Sequence, residues 1–235
     1  MLADEEQRLR RDLREPGALL VLLALGAGAV DALSLTVLDV FTAAITANVV
    51  LLGIAIGDGD PHTALRSALA VGGFALGVAT TARLVAAGWS RPQTVPGALI
   101  GIAAVQAAFL AVWLAVDGRP SGAVLDLLAF ASAFAMGGQT AAAARWKAGI
   151  PPTYVTGVLT AALSDLVTPG RPRRDRALRL TVVAAVAAGA IAGTVALGEV
   201  RAVAAALPLA VTAVAVVVAR TAPRPDGPAP AAPAR

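Results

Sequence analysis

The sequence predicts an all-α polytopic membrane protein, and three observations carry this prediction. Hydrophobic residues make up 57% of the 235 residues and charged residues only 14%, whereas soluble globular chains have roughly 45–50% and 25%. The mean hydropathy is +0.76. Apolar stretches long enough to cross a bilayer, which takes about 20 residues, recur along the chain. The polar surface that a soluble domain of this size needs is therefore missing.

The composition also excludes several functional classes. The chain has no cysteine and one histidine, so a disulfide scaffold, a Cys-based zinc or iron–sulfur site and a Ser-His-Asp triad are all excluded. No Gly-rich phosphate loop and no HExxH motif is present. We therefore expect no enzymatic activity, no metal and no cofactor, and a transporter built on this chain would use a gradient or act as a passive pore.

The positive charge of the chain does not indicate nucleic-acid binding. The net charge is +4, but the arginines flank apolar segments, as the positive-inside rule expects. Four of them precede the first apolar segment and five lie within 171–179. Aromatic residues that stack on bases are not interleaved with these arginines. The expected partner is the lipid bilayer.

The chain divides into an arm, eight apolar segments and a tail. Residues 1–16 are charged and are expected to form a cytoplasmic arm, and the Pro- and Ala-rich residues 220–235 are expected to be disordered. The apolar segments are 17–38, 40–56, 63–88, 97–116, 124–144, 152–167, 177–197 and 200–219. The second and the sixth are too short for a comfortable crossing and are rich in threonine.

The order long, short, long, long occurs twice, over residues 17–116 and 124–219. The short segments also share a pattern, since Ile45-Thr46-Ala47 corresponds to Val155-Thr156-Gly157. We interpret the two ranges as an internal repeat of the kind that small transport folds use. Coincidence between small residues in an Ala-rich chain remains the alternative.

Counting Lys and Arg favours six membrane spans over eight. If all eight segments cross and the N-terminus is cytoplasmic, 14 of the 19 basic residues lie inside. If the two short segments are broken or re-entrant, 16 of the 19 lie inside, which obeys the positive-inside rule better. Each half then has three true spans, an odd number, so the halves are predicted to be inverted relative to each other. Both termini would then be cytoplasmic.

The short segments also point to a functional site, because irregular backbone at membrane depth needs protein or a water-filled cavity around it. Asp31 lies in the middle of an apolar helix, where a carboxylate costs roughly 2.5–3.5 kcal/mol on insertion scales. It is either a cation or proton site, or a buried hydrogen-bonding partner of a helix break or of an arginine.

Further polar residues lie at or beside the predicted breaks. Amides inside apolar runs usually join helices, but Asn48 lies in a short segment and Gln139 follows a glycine pair. We predict that six residues form a substrate site near the midplane between the repeats: Asp31, Thr46, Asn48, Gln139, Thr156 and Gly157.

We interpret Gln106 as an amide that joins helices. The spacing Gly73-x3-Gly77 favours close helix packing or a homodimer.

Two motifs resemble a known family. The run VDALS…F-T…T-x-N-V-V-L-L-G begins at Val30, and the run AMG-x-Q…TYVTG-x-L-T…D-L begins at Ala135. Together they resemble the YoaK family of bacterial inner-membrane proteins, a family defined as a domain of unknown function, over roughly residues 16–220. Ala47 stands where the family pattern has glycine, and Thr140 where it has asparagine. The resemblance implies a polytopic bacterial membrane protein of about six spans.

The function that these features favour is a small gradient-driven transporter or channel for an unidentified solute or ion. In this hypothesis the half-helix ends supply partial charge, the amides and hydroxyls coordinate the solute, and Asp31 sets the charge or couples a proton. The alternative is a membrane scaffold that does not transport and binds partners or lipids through its basic loops. The alternative predicts a dry, tightly packed centre in which Asp31 is paired internally.

Overall fold

The computed structural model describes residues 16–86, 94–146, 153–167 and 173–221. These ranges form eight α-helices and one turn of 3-10 helix at Arg201–Val203. The α-helices are α1 (Pro16–Leu38), α2 (Ile45–Asp58), α3 (Pro61–Ala86), α4 (Thr94–Ala115), α5 (Gly122–Trp146), α6 (Val155–Val167), α7 (Arg173–Glu199) and α8 (Ala206–Thr221). The predicted arm, except for Pro16, and residues 222–235 of the predicted tail lie outside the described residues.

Six segments of the described chain are long and apolar enough to cross a membrane: α1, α3, α4, α5, α7, and α8 together with the 3-10 turn before it. The two remaining helices, α2 and α6, have only 14 and 13 residues. Large apolar side chains on the outer surface are exposed, among them Ile56, Ile191 and Val217. A lipid environment accounts for such a surface, whereas a soluble monomer rarely carries one. The prediction of an all-α polytopic membrane protein is confirmed.

The directions of the long helices follow from their contacts. We name the two ends of the bundle after α1, as the Gly17 end and the Leu38 end. Helices α1 and α7 run parallel, because Gly17 lies against Leu178 and Gly193 against Ala29. Helix α5 runs opposite to α1, because the Gln139 amide donates a hydrogen bond of 3.0 Å to the Leu23 carbonyl near the Gly17 end. Helix α3 begins at the Leu38 end and runs parallel to α5.

Glycines allow the backbones of the parallel helices to approach closely. A Cβ atom on Gly73 of α3 would lie 2.6 Å from the Phe130 carbonyl oxygen of α5. Gly77 meets the next turn of α5 at Phe134 in the same way. The Gly73-x3-Gly77 pair is therefore used for helix packing within the chain, as small-xxx-small pairs are in membrane bundles. The expected homodimer has no support from this pair and stays a prediction.

The helix contacts of the first half recur in the second half. The helices α1 to α4 of the first half correspond in order to α5 to α8 of the second half. The contact of α1 with α7 therefore corresponds to that of α5 with α3, and the contact of α2 with α3 corresponds to that of α6 with α7. Helix α4 packs on α5 as α8 packs on α1. This scheme is the one that two inverted halves with three long helices each would produce. Common ancestry of the halves stays a prediction.

The short helix α2 begins inside the bundle and ends at the Leu38 end. Arg66, in the second turn of α3, donates hydrogen bonds of 3.3 Å to the Leu38 carbonyl and 3.2 Å to the Asp39 carboxylate. It also forms an ion pair of 3.4 Å with Asp126 near the start of α5. The end of α1 and the start of α3 therefore lie at the same end of the bundle. Because of this, α2 turns back instead of crossing.

The arginines of the described chain separate between the two ends. Arg66, Arg119 and Arg201 lie at the Leu38 end, on α3, in the α4–α5 loop and before α8. A second set lies at the Gly17 end: Arg83, Arg145, Arg173, Arg174, Arg176, Arg179 and Arg220. The positive-inside rule therefore favours a cytoplasmic Gly17 end.

The absence of cysteine from the sequence allows a direct test of this topology. We expect Asp58→Cys and Ser121→Cys to react alike with a membrane-impermeant maleimide in intact cells, because both residues lie at the Leu38 end. Val167→Cys at the Gly17 end is the matched control and should be protected until the cells are lysed. Positions 58 and 121 share a side whether or not α2 crosses, because α3 and α4 both lie between them. The reference for α2 is therefore Asp39→Cys, at the end of α1, and opposite labelling of positions 39 and 58 would show that α2 crosses the membrane.

The glycine contacts generate a stability prediction. A Cβ atom on Gly137 would collide with the Phe74 carbonyl oxygen, so we expect Gly137→Ala to destabilise the protein by about 1–3 kcal/mol. Gly101→Ala is the control, because a Cβ atom there meets nothing within 4 Å. It should leave stability unchanged or raise it by up to about 1 kcal/mol. Thermal unfolding in detergent measures both, and equal midpoints for the two variants would contradict the packing.

Candidate functional site

The connection between α1 and α2 is a non-helical turn inside the bundle. Helix α1 ends at Leu38, Asp39 has a positive φ of 57°, and the chain then folds back beside α1. Helix α2 begins at Ile45, close to Asp31. Asp31 lies seven residues before the end of α1, which is roughly 10 Å at 1.5 Å per residue. The backbone N–H groups of this turn have no lipid or helical partner and need acceptors from the protein.

Asp31 supplies acceptors for three of these N–H groups. Its Oδ1 atom accepts hydrogen bonds from the backbone N–H groups of Thr42 at 2.8 Å and Ala43 at 2.7 Å. Its Oδ2 atom accepts one from Ala44 at 3.0 Å. Ala44 is the N-cap of α2 and has no side chain that could cap the helix. Asp31 therefore caps α2 from α1, and its negative charge faces the positive end of the α2 dipole.

Asn48 completes the turn from the other side. Its Oδ1 atom accepts a hydrogen bond of 2.9 Å from the Phe41 N–H, and its Nδ2 group donates one to the Phe41 carbonyl. The Asn48 side chain is fully buried. Both polar backbone groups of Phe41 are thereby satisfied within the protein.

Three buried hydroxyl groups connect this turn to both central helices. The Thr42 hydroxyl lies 3.0 Å from the Ser34 hydroxyl on α1 and 3.0 Å from the Ser132 hydroxyl on α5. Thr42 and Ser34 are almost completely buried, and Ser132 is 8% exposed. The turn and α2, residues 39–58, are named the first insert. A chain of three hydroxyls therefore joins the first insert to the interface between the two halves.

The second insert, of which residues 153–167 are described, has a similar arrangement with neutral groups. The Thr140 hydroxyl on α5 lies 2.8 Å from the hydroxyl of Thr153, just before α6. Thr140 lies six residues before the end of α5, much as Asp31 lies seven residues before the end of α1. A hydroxyl thus occupies the place that a carboxylate occupies in the first half, so the two inserts differ in charge.

The structure does not bring the six predicted site residues to one point. Asp31 and Asn48 meet at the 41–44 turn, whereas Gln139 joins α5 to α1 through the Leu23 carbonyl. The side chains of Thr46 and Thr156 are exposed on the outer surface.

The backbone of Gly157 lies under the Tyr154 ring, which a Cβ atom there would overlap. Two roles were predicted for Asp31, a cation or proton site and a buried hydrogen-bonding partner. Its contacts are those of a hydrogen-bonding partner of a helix break. A direct contact of any of the six residues with a ligand stays a prediction.

A small cavity lies where the two halves meet, between α1, α4, α5 and α8. It has room for about 20 Å³, which is enough for one water molecule. Its polar wall groups belong to Ser34, Gln106 and Ser132, and its apolar wall includes Val30, Phe109 and Met136. None of the six predicted site residues lines it.

Gln106 is the most informative residue of this cavity. The residue is 8% exposed, and its Oε1 atom is buried without a hydrogen-bond partner in the described part of the chain. An unsatisfied buried polar group costs roughly 1–3 kcal/mol. Sequence reasoning had assigned Gln106 to helix joining. The sequence did contain one indication of this cavity. Ser34, a residue of the cavity wall, is three residues after Asp31 and therefore lies on the same face of α1.

Metal ligands do not converge on either insert. Among the described residues, no group of three His, Cys, Asp or Glu side chains is close enough to hold a metal ion. Some acidic residues at the ends pair with arginines, since Asp165 at the end of α6 pairs with Arg179 of α7 and Asp39 and Asp126 pair with Arg66. Asp60 immediately precedes α3, and hydrogen bonds from the Thr63 side chain and backbone lower the pKa of its carboxyl group.

The capping role of Asp31 generates a testable prediction. We expect Asp31→Asn to destabilise the protein by about 1–3 kcal/mol, because the amide retains one acceptor oxygen for three N–H donors and places an NH2 group against them. Thermal unfolding of the purified protein in detergent measures the change. Thr194→Val, on the exposed face of α7, is the control and should have no effect beyond about 0.5 kcal/mol. An unchanged midpoint for Asp31→Asn would contradict the capping role.

Comparison with known proteins gives the family of the chain. Residues 19–219 match a family described as protein of unknown function (DUF1275). The chain is also similar to the UPF0700 transmembrane protein YoaK of Bacillus subtilis (strain 168), with 36% identity over 150 residues. This match covers 63% of the chain and 66% of the relative, just under two thirds of its length. No solved structure matches the chain. The resemblance to the YoaK family is therefore confirmed, and the chain belongs to the DUF1275 family as a multi-pass membrane protein.

Proposed function

We propose that the protein is a small transporter or channel that moves a solute through a site between its two halves. The observation that carries this proposal is the cavity between α1, α4, α5 and α8, with the unpartnered Oε1 atom of Gln106 in its wall. In membrane bundles, polar groups that face a cavity at the interface of two halves are typical of solute sites. The proposal includes no catalytic step, and its setting is the bacterial inner membrane with cytoplasmic termini.

The first insert supports this proposal by its position. Helix α2 begins two turns inside the bundle, and its start is attached through Thr42 to Ser34 and Ser132 in the cavity wall. A movement of α2 would therefore move two of the three polar groups of the site. In this proposal α2 is the gate on the Leu38 side, and Asp31 holds the gate closed through the N–H groups of residues 42–44.

A transport assay tests the proposal without knowledge of the solute. We expect purified protein in liposomes to raise the permeability to at least one of a panel of small solutes and ions above that of empty liposomes. Swelling under osmotic gradients measures neutral solutes, and ion-sensitive dyes measure protons, Na⁺ and K⁺. Asp31→Asn, which weakens the closed gate, should change the rate, whereas Thr194→Val should not. Permeability equal to that of empty liposomes for every solute would overturn the proposal.

A second candidate function is a scaffold that binds lipids or partners without transport. One observation favours it, namely that both carboxylate oxygens of Asp31 accept hydrogen bonds from backbone N–H groups, so that Asp31 is paired internally. The arginines at the Gly17 end would then supply the binding surface. In this case the liposomes would show no flux, and the protein would bind anionic vesicles more strongly than neutral ones.

A further inference from the structure

The chemistry of the central cavity restricts what can bind there. Among the residues that line it, none carries a formal charge. The nearest carboxylate in sequence is Asp31, whose two oxygens already accept three backbone hydrogen bonds. An ion that enters this cavity would lose its hydration shell and gain no opposite charge, which is strongly unfavourable. The walls therefore favour a neutral ligand.

The polar wall groups also restrict the hydrogen bonds of the ligand. The Oε1 atom of Gln106 is an acceptor without a donor in the described part of the chain, so the ligand must donate an N–H or O–H group to it. The three hydroxyls of Ser34, Thr42 and Ser132 have three protons between them, and their two mutual hydrogen bonds use two. When Thr42 accepts from one serine and donates to the other, the serine that accepts keeps its proton. Because both serines line the cavity, that proton remains for an acceptor atom of the ligand.

The volume of the cavity limits the size of the ligand. Its volume of about 20 Å³ accommodates a molecule of the size of water. The apolar wall around the polar groups, with Val30, Phe109 and Met136, leaves no further group that could hold a larger polar molecule in a fixed orientation.

We propose that this cavity binds a neutral molecule of the size of water or ammonia, which donates a hydrogen bond to Gln106 Oε1 and accepts one from the hydroxyl of Ser34 or Ser132. This inference rests on the proposed transport function, for which it names the substrate class. Water and ammonia share the required chemistry, and the assay below distinguishes them.

The test compares wild-type protein with Gln106→Met in liposomes. Methionine has nearly the length of glutamine and removes the acceptor. Osmotic shrinkage measures water, alkalinisation of the vesicle interior under an ammonium gradient measures ammonia, and dyes measure Na⁺, K⁺ and proton flux. We expect protein-dependent permeability to water or to ammonia, and not to the ions. Gln106→Met should lower it roughly five- to hundredfold, because a buried hydrogen bond is lost.

Two further variants keep the result interpretable. Thr194→Val is the matched control on the lipid-exposed face and should retain the wild-type permeability. Ser132→Ala removes a hydroxyl from the other wall and should also lower the permeability, so it replaces Gln106→Met if that variant does not elute as a single species in gel filtration. Flux confined to ions or to solutes as large as glycerol, or equal rates in wild type and both site variants, would overturn the inference.

A binding measurement separates the failure of this inference from the failure of the transport function. We expect ammonium chloride, at a pH above the pKa of ammonium, to raise the unfolding midpoint of the wild type relative to sodium chloride at the same pH. Gln106→Met should lose this shift, and at neutral pH, where ammonium predominates, the shift should disappear. If the shift is present without any flux, the cavity binds its ligand and the transport function is wrong. If both the shift and the flux are missing, both proposals are wrong.

Discussion

The structure depends on one constraint, which is that non-helical backbone inside a membrane protein must find its hydrogen-bond partners within the protein. Residues 39–44 interrupt the helical chain and run from the Leu38 end to about two turns inside the bundle, where α2 begins. Asp31 accepts hydrogen bonds from three N–H groups of this turn, and Asn48 satisfies both backbone groups of Phe41. The charge of Asp31 also lies at the positive end of the α2 dipole. A carboxylate that is costly in lipid thereby becomes the group that allows α2 to begin inside the bundle.

The same turn connects the insert to the interface between the halves. Once Asp31 holds Thr42 in place, the Thr42 hydroxyl reaches Ser34 on α1 and Ser132 on α5. The halves are also interlocked by close glycine contacts, since α1 packs on α7 and α3 packs on α5. These contacts leave α1, α4, α5 and α8 around the centre, where the cavity with Gln106 lies. The first insert and the site between the halves are therefore parts of one hydrogen-bonded arrangement.

The sequence identified some residues of this arrangement and not their roles. Asp31 was singled out because its position in an apolar helix is expensive, and Asn48 because it lies in a short segment. Their partners are backbone groups of residues 41–44, and a sequence carries no signal that a side chain will bond to the backbone of a turn 11 to 13 residues later. Thr46 and Thr156 match each other in sequence, but both point outward. Gln106 and Ser132 looked like ordinary polar residues in Ala-rich helices, because the cavity forms only when α4 and α5 pack together.

The sequence by itself determined the class of the protein, the six long apolar helices and the two short ones between them. It could do so because hydropathy and helix length are local properties that the bilayer thickness converts into spans. The positions of Lys and Arg also favoured re-entrant inserts, since that rule acts on single loops. The tertiary structure decided the contacts that cross between elements, namely the Asp31 cap on α2, the hydroxyl chain from Thr42 and the unpartnered amide oxygen of Gln106. These depend on which helices become neighbours and at what depth, and the packing of the whole bundle decides both, including the close glycine contacts of α1 with α7 and of α3 with α5.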